Sequence, residues 1–393
     1  MMDIQQQGII AIIKSALSGQ KYDLPEGFNF EKAVAYAIRS QITGMVYHGA
    51  VNCNISPDSV CMQKLFSNVC VTVSVDEQQL YELSKVKKAF DESGIKYMLM
   101  KGVLLKPLYP KSYMRTMSDL DILIDENQYS VIESIMESLC YHRGIESDHE
   151  LPWKKNNVYI ELHKRLISTH NKDFYSYFGE GWDFASPLVE QPNRYEMSKE
   201  DVFIYLFTHL VKHYRSGGIG IKHMTDLWVY LRAYPNINMN YIKASLSSMM
   251  LLDFYNNVIS TLEVWFNDAP QTEITDLITH VIFKSGAFGF YEDHLAALVI
   301  RDFKTEKRKH SRFREIRELV FPPYKKMRSK YKVLKKAPLL LPCLWIYRGC
   351  VALKPSSQKI KGFKDNINVI ATDKVAIYHQ SLKKVGLDFN FKE

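Results

Sequence analysis

Two stretches of the chain alternate apolar and polar residues with the period of a β-strand, DLDILID at 119–125 and VYIELH at 158–163. Successive side chains of a strand point to opposite faces of the sheet. Asp119 and Asp121 are therefore expected on one face of the first strand, and Glu161 lies in the polar half of the second. The other face of each strand is wholly aliphatic, which predicts that it packs against helices.

Helical periodicity surrounds these strands. Residues 76–93 place apolar side chains at intervals of three and four, and Gly94 is expected to end this helix. The apolar segment IKYMLMKG predicts a strand that ends at Gly102, and the helix after DLDILID is expected to end at Gly144. This order of elements predicts a small α/β unit at about 75–167.

Beyond Pro192 the pattern becomes predominantly helical. SKEDVFIYLFTHLVKHYR, TDLWVYLRAY and MNYIKASLSSMMLLDFYNNVISTLEVWF each predict a helix, and the first has a capping-box start, with Ser198 at the cap and Asp201 three residues later. The predicted fold class is α+β, with helical flanks. The predicted domains are an N-terminal helical region, an α/β core, a helical domain and a basic, helical or irregular C-terminal region, at 1–74, 75–192, 193–300 and 301–393.

The composition is that of a globular protein. Of 393 residues, 46% are hydrophobic and 24% are charged, which allows a sizeable core and excludes a globally disordered chain. The six cysteines form no C-x-x-C pair, as expected for reduced thiols in the cytoplasm. The N-terminus does not resemble a signal peptide, and no apolar run approaches the roughly 20 residues of a membrane-spanning helix. The sequence therefore predicts a soluble, cytoplasmic protein without a transmembrane segment.

The positive charge is concentrated in one segment. The whole chain has a formal charge of +8, and residues 301–340 alone contain fifteen Lys and Arg against four Asp and Glu. A solvated helix face followed by a loop is one interpretation of this segment. Contact with an anionic surface, either nucleic acid or membrane, is the other.

The acidic face predicts a cation site if the two alternating strands are neighbours. Three carboxylates that converge in a low dielectric repel one another unless a cation or a proton relieves them. Mg²⁺ takes hard oxygen ligands, and two such ions hold the attacking and leaving oxygens of a phosphoryl transfer. Asp119, Asp121 and Glu161 are the predicted ligands, and ordinary surface acids are the alternative. His163 is predicted to hydrogen-bond a ligand, because imidazole suits magnesium poorly.

The same segments resemble a known family. LMKG at 99–102, RTMSDLDILI at 115–124 and VYIELH at 158–163 are similar to an uncharacterised bacterial nucleotidyltransferase family of the polymerase-β-like superfamily, often encoded beside polysaccharide and secondary-metabolite genes. THLVKHYRSGGIGIKHMTDL at 208–227 resembles a helical segment of that family. The resemblance covers roughly 75–350 and implies a mixed sheet that carries the three carboxylates.

The resemblance also implies roles for single residues. Asp119 and Asp121 would bind two Mg²⁺ ions, with Mn²⁺ as the alternative, while Glu161 completes the site and helps deprotonate an acceptor hydroxyl. Lys101 and Gly102 stand where the wider superfamily has Gly-Ser or Gly-Gly against the triphosphate. Gly102 would allow close backbone approach, and Lys101 would supply a point charge to the phosphates.

Arg115 has two interpretations, a clamp for a phosphate or a partner of Asp119 or of a surface acid. The implied reaction is Mg²⁺-dependent transfer of a nucleoside monophosphate from an NTP to an acceptor hydroxyl. The acceptor class stays open between small molecules, saccharides, protein and RNA, and polysaccharide or secondary-metabolite biosynthesis is the implied setting. Two alternatives are a catalytically weak or inactive nucleotide-binding protein of this fold and a toxin-like transferase that modifies RNA ends.

Overall fold

The structure, a computed structural model, describes residues 1–286, 321–324, 327–328, 331–335, 337–352 and 374–388. Its centre is a seven-stranded mixed sheet with strand order β3-β4-β5-β2-β1-β7-β6. The strands are β1 Tyr97–Leu99, β2 Leu120–Ile124, β3 His142–Arg143, β4 Glu150–Lys155, β5 Val158–His163, β6 Ala185–Pro187 and β7 Arg194–Met197. β2 runs parallel to β5 and antiparallel to β1, which in turn runs parallel to β7. The mixed sheet confirms the predicted α+β class.

Helices precede, interrupt and follow the sheet. Before and within it lie α1 Ile4–Ser18, α2 Phe30–Ser40, α3 Thr43–Asn52, α4 Val60–Glu92, α5 Gly102–Leu105, α6 Tyr129–Ser138 and α7 Lys172–Phe178. After it come α8 Lys199–Tyr214, α9 Ile221–Ala233, α10 Met239–Ser248, α11 Leu252–Phe266, α12 Glu273–Ser285, α13 Leu341–Ala352 and α14 Lys374–Lys384. The helical flanks on both sides of the sheet are those expected from the sequence.

The aliphatic faces of β2 and β5 form the core of the α/β part. Their predicted inward residues are all buried in one cluster: Leu120, Ile122, Ile124, Val158, Ile160 and Leu162. Val86 and Phe90 of α4 and Ile132 and Met136 of α6 belong to the same cluster. Full burial of such a side chain stabilises the fold by about 1.5–3 kcal/mol. The aliphatic half of each strand is thus used for packing, as its alternation predicted, and the polar half is left for the site.

Several predicted boundaries are wrong for local reasons. β1 ends at Leu99, because Lys101 takes a positive φ of 48° and starts the short helix α5 at Gly102. α6 ends at Ser138, where Cys140 adopts a positive φ of 63°, and Gly144 follows β3 instead of capping the helix. A single residue with left-handed backbone therefore ends each element before the glycine does.

The predicted helix at 239–266 is two helices, α10 and α11, separated at Met250, which has a positive φ of 56°. Conversely, the predicted helix at 76–93 is the last part of the 33-residue helix α4. The capping start of α8 is confirmed, because Ser198 Oγ accepts from the backbone N–H of Asp201 at 3.0 Å.

The described residues form two compact units, 1–212 with 219–286, and 213–218 with the described residues beyond 320. The sheet and the acids lie in the first. In the second, Tyr378 donates a hydrogen bond to the carbonyl of Tyr214 at 3.2 Å. Most of the predicted basic segment 301–340 lies outside the described residues. Within the described part of the chain, no helix combines the length and apolar character needed to cross a bilayer.

Candidate functional site

The pairing of β2 with β5 creates the acidic site. These strands run side by side in parallel, and their register places Asp121 directly opposite Glu161. In the described part of the chain, Asp121, Glu161 and His163 form a cluster whose donor atoms all lie within 4.8 Å of one another. Asp119 lies one residue before β2, is half-buried, and accepts a hydrogen bond from Ser118 Oγ at 3.1 Å. Both strands therefore bring acids to the same face of the sheet.

Asp121 is the buried centre of this arrangement. Its Oδ1 accepts from Lys101 Nζ at 2.6 Å and from His163 Nε2 at 2.8 Å. Although burial opposes ionisation, the Lys101 charge and the His163 hydrogen bond hold the pKa of Asp121 well below its usual range. Asp121 is therefore an anion with a protein cation and a hydrogen-bonded imidazole beside it.

Glu161 has the opposite electrostatic environment. Burial, followed by the charges of Asp119, Glu150 and Asp121, raises the pKa of Glu161 to about 7. Burial and the charge of Asp121 likewise raise the pKa of Asp119. A divalent cation among these groups would relieve their repulsion, and carboxylate oxygens are the donors that Mg²⁺ and Mn²⁺ prefer. The residues present therefore fit a divalent cation.

The folded protein without metal is expected to lose stability as the pH rises from about 5 to about 8, through Glu161. The carboxyl has an ordinary pKa of 4.5 and a folded-state pKa of about 7, so the folded state binds the proton more tightly and loses this advantage as the proton leaves. Replacement by Gln should change stability little near pH 4 and raise it by about 2 kcal/mol near pH 8. Urea unfolding of both proteins in chelator measures the difference.

Other groups also titrate in this range, so the informative quantity is the difference between wild type and Glu161→Gln at each pH. Saturating Mg²⁺ should stabilise the wild type more than the variant near pH 8. A difference that stays constant with pH would contradict the assigned electrostatic environment of Glu161.

Arg115 lies beside the site and is committed to a structural ion pair. Its Nε donates to Oδ1 of Asp226 at 2.6 Å, and both side chains are buried. Tyr109 donates its hydroxyl to the same oxygen at 2.7 Å. Arg115 thus pairs with an acid. The acid is not Asp119 or a surface acid but the buried Asp226 on α9, 111 residues later in the chain. Arg115 also donates through a terminal nitrogen to the carbonyl of Thr116.

Two further lysines approach the acids and were not predicted as site residues. Lys222, in the first turn of α9, donates to the carbonyl of Thr116 at 3.3 Å. Burial and the nearby charge of Arg115 lower the pKa of Lys222 to about 7, while the Asp119 charge acts in the opposite direction. Lys212 of α8 has its pKa lowered by burial and by the charge of Lys101. Both lysines belong to the 208–227 segment that carries part of the family resemblance.

Gly102 packs closely against the side chain of Met117 at the start of α5. A Cβ on this residue would lie 2.6 Å from Sδ and 2.7 Å from Cγ of Met117, well inside van der Waals contact. The preceding Lys101 has φ 48° and ψ −120°, a strained conformation for a residue with a side chain. This turn carries the Lys101 ammonium from the end of β1 to Asp121.

A known protein family matches the part of the chain that carries the sequence motifs. Residues 26–267 match the family described as uncharacterised nucleotidyltransferase. No curated protein sequence matches the chain. Among solved structures, the solution structure of the antibiotic-resistance factor ANT(2'')-Ia is 12% identical, covering 49% of this chain and 100% of that chain at a TM-score of 0.34. The crystal structure of ANT(2'')-Ia with adenylyl-2''-tobramycin is also 12% identical, covering 44% and 97% at 0.33.

Proposed function

The chain belongs to this uncharacterised nucleotidyltransferase family, and from that premise we propose that it transfers a nucleoside monophosphate from an NTP to a hydroxyl of an acceptor. The observation that carries the proposal is the side-by-side placement of Asp121 and Glu161 on parallel neighbours, with Asp119 at the start of β2. Such a set of acids suits divalent-cation chemistry on phosphates.

Asp119, Asp121 and Glu161 would hold the metal, as two Mg²⁺ ions or alternatively Mn²⁺. When bound, these ions supply charge neutralisation and positioning of the reacting phosphate oxygens. His163 orients the Asp121 carboxylate through its 2.8 Å hydrogen bond and is fully buried itself. A hydrogen bond of this kind fixes the direction in which a ligand oxygen points.

In the wider superfamily, a Gly-Ser or Gly-Gly pair contacts the triphosphate. In this chain, lysine side chains would contact the phosphates of the NTP instead. Lys101 and Lys222 each interact electrostatically with Asp119, so their ammonium groups border the acids. A phosphate oxygen near Lys222 would favour its charged form and reverse the lowering of its pKa. Lys101 and Lys222 are therefore the proposed triphosphate contacts, with Gly102 beside them and Arg115 holding the shape of the loop through Asp226.

Glu161 is also the proposed acceptor of the proton from the attacking hydroxyl, because its carboxylate lies opposite Asp121 on the neighbouring strand and stays partly exposed, within reach of an acceptor. In the reaction, the acceptor oxygen forms a bond to the α-phosphorus. The bond between the α-phosphorus and the bridging oxygen breaks, and pyrophosphate leaves with the electron pair. The hydroxyl proton passes to the Glu161 carboxylate and then to solvent, so atoms and charge balance.

The test incubates the full chain with each α-³²P-labelled NTP, Mg²⁺ and a protein-free small-molecule extract as the acceptor source. Wild type is expected to form labelled product and release pyrophosphate, and EDTA is expected to stop both. Asp119→Asn and Glu161→Gln should each lower the rate more than about 100-fold, because they remove groups in direct contact with metal or reactant.

Asp125→Asn is the matched control, since this acid follows the opposite end of β2 and its side chain caps a short turn through the N–H of Asn127. The control should keep its activity. Nucleotide binding without transfer, unaffected by either site variant, would contradict catalysis and indicate a binding protein of the same fold. In a parallel incubation with total RNA in place of the extract, label found only on RNA ends would favour the RNA-modifying alternative.

A further inference from the structure

An apolar surface is exposed on the second compact unit, at α13 and the helical turn before it. The turn is Pro338–Leu340, and α13 follows directly at Leu341. Large apolar side chains in this part are open to solvent, with Leu339 at 93%, Ile346 at 69% and Tyr347 at 57% exposure. A single exposed apolar residue is ordinary, whereas a group of neighbouring ones marks an interaction site. These residues therefore form a candidate docking surface.

The exposed residues of α13 lie on one side of the helix. Successive helical residues are rotated by about 100°, which groups these four: Pro342, Cys343, Ile346 and Tyr347. Together with Leu339, we call them the α13 face. On the other side of the helix, the Trp345 indole donates to the carbonyl of Pro322 at 2.9 Å, and its ring contacts Phe321 at 5.3 Å between centroids. The anchored Trp345 determines which side of α13 turns outward.

The chain before the α13 face is basic. The segment 321–340 contains no Asp or Glu and seven Lys and Arg: Lys325, Lys326, Arg328, Lys330, Lys332, Lys335 and Lys336. Among the described residues of this segment, Arg328 is exposed, and its guanidinium lies 5.9 Å from the centroid of the Tyr324 ring. The sequence of α13 contains no acid either. Positive charge and exposed apolar side chains are therefore adjacent along the chain.

This combination of charge and apolar surface selects one kind of partner. A second copy of the chain would bring two basic segments together, and like charges oppose that association. RNA would use the basic residues but would leave Leu339 and Ile346 without apolar contacts, because single strands bind through cations and stacked aromatic rings. A bilayer with anionic lipids uses both features. Its head groups attract Lys and Arg, and its interface takes up aliphatic and Tyr side chains.

We infer that the α13 face docks the protein reversibly on a membrane surface rich in anionic lipids. Leu339, Ile346 and Tyr347 enter the boundary between head groups and acyl chains, and the basic segment 321–340 supplies the attraction to the lipid charges. With 12 residues, α13 is about 18 Å long and too short to cross a hydrocarbon core of about 30 Å. The helix therefore lies in the plane of the surface. This inference does not depend on the proposed transferase activity.

The test measures binding of the purified full chain to vesicles by flotation. One set of vesicles contains phosphatidylcholine alone, and the other contains equal amounts of phosphatidylcholine and phosphatidylglycerol. The double variant Leu339→Gln with Ile346→Gln removes two aliphatic side chains from the α13 face. Val60→Gln with Val131→Gln is the matched control, because it removes two exposed aliphatic side chains from helices of the first compact unit.

Wild type and the control are expected to float with the anionic vesicles and much less with the neutral ones. The double variant of the α13 face should bind anionic vesicles at least about tenfold more weakly, because two side chains no longer enter the apolar boundary. Tyr347→Gln, made separately, should weaken binding several-fold. Raising NaCl from about 0.1 M to about 1 M shortens the Debye length from about 10 Å to about 3 Å and should also weaken wild-type binding several-fold.

Circular dichroism and thermal unfolding should be the same for wild type and all variants, because every replaced side chain is exposed. Absence of binding to anionic vesicles, equal binding to neutral vesicles, or binding unchanged in both Tyr347→Gln and the double variant would each overturn the inference. Sedimentation without vesicles examines the alternatives. A wild-type dimer that the double variant converts to a monomer would assign the α13 face to a second copy of the chain. Binding of labelled RNA that the double variant abolishes would assign the face to RNA.

Discussion

Asp121→Asn is expected to reduce nucleotidyl transfer more than about 100-fold and to destabilise the fold by about 2–3 kcal/mol. The loss of activity follows from removing a charged oxygen donor at the centre of the acidic cluster. The loss of stability follows from Lys101, whose ammonium lies 2.6 Å from Asp121 and would keep its charge in a largely buried place. The loss of stability is moderate because the charge of Asp119 also stabilises the Lys101 ammonium. Steady-state rates and urea unfolding measure the two effects.

A double variant separates the two effects. Adding Lys101→Met to Asp121→Asn removes the unpaired cation and should recover most of the lost stability, since replacing both partners of a buried pair by neutral groups is often tolerated. Activity should stay lost, because the proposed metal ligand is still missing. Recovery of activity together with stability would show that Asp121 matters only for folding and would contradict its role as a ligand.

Asp226→Asn is expected to cost about 3–5 kcal/mol of folding stability, because it breaks a buried ion pair by removing one charge. The substitution preserves shape and an acceptor for Tyr109, but it leaves the buried Arg115 guanidinium without a counter-charge. Thermal and urea unfolding in the absence of metal should both show the decrease. Transfer measured below the new melting temperature should fall less steeply than in Asp121→Asn.

Asp253→Asn is the control for this prediction, because Asp253 is exposed in the first turn of α11 and should change stability by less than about 0.5 kcal/mol. The double variant Arg115→Met with Asp226→Asn should regain most of the loss. If Asp226→Asn is as stable as wild type, the ion pair contributes nothing net and this contact is held by packing alone.

The strands of the site were predictable because their alternation is strong. A strand with acids on one face and branched aliphatics on the other has only one arrangement that buries the aliphatics, so DLDILI and VYIELH identified both the core and the acidic face. The structure places Asp121 beside Glu161 in register. This pairing could be predicted only from the family resemblance, because neither segment alone indicates which strand lies next to it.

Strands β3, β4, β6 and β7 could not be predicted from the sequence, for physical reasons. β3, β6 and β7 have two to four residues each, too few for a period to emerge. β4 contains Pro152, which cannot donate to a ladder and therefore speaks against a strand within a sheet. The helix boundaries failed at Cys140 and Met250, whose positive φ values are uncommon for residues with a side chain and have no signal in the local pattern.

The local sequence pattern could not show which lysines lie near the acids of the candidate site. Lys212 and Lys222 lie on helices among other basic residues, and their proximity to the acids depends on how α8 and α9 approach the sheet. The same holds for Asp226, whose buried partner Arg115 is 111 residues earlier. The family-like segment at 208–227 contained all three, so a resemblance reaching beyond the acidic strands was the available signal.

The Arg115–Asp226 pair has a consequence for dividing the chain into autonomous pieces. A fragment ending near residue 192 would retain the acidic strands but would lose β7 and the carboxylate that neutralises Arg115. In such a fragment the buried Arg115 guanidinium would lack its Asp226 partner. The edge of β1 that pairs with β7 would also lack its neighbouring strand. The fragment expressed alone should therefore be insoluble. Co-expression with the rest of the chain as a second fragment should allow the two to associate.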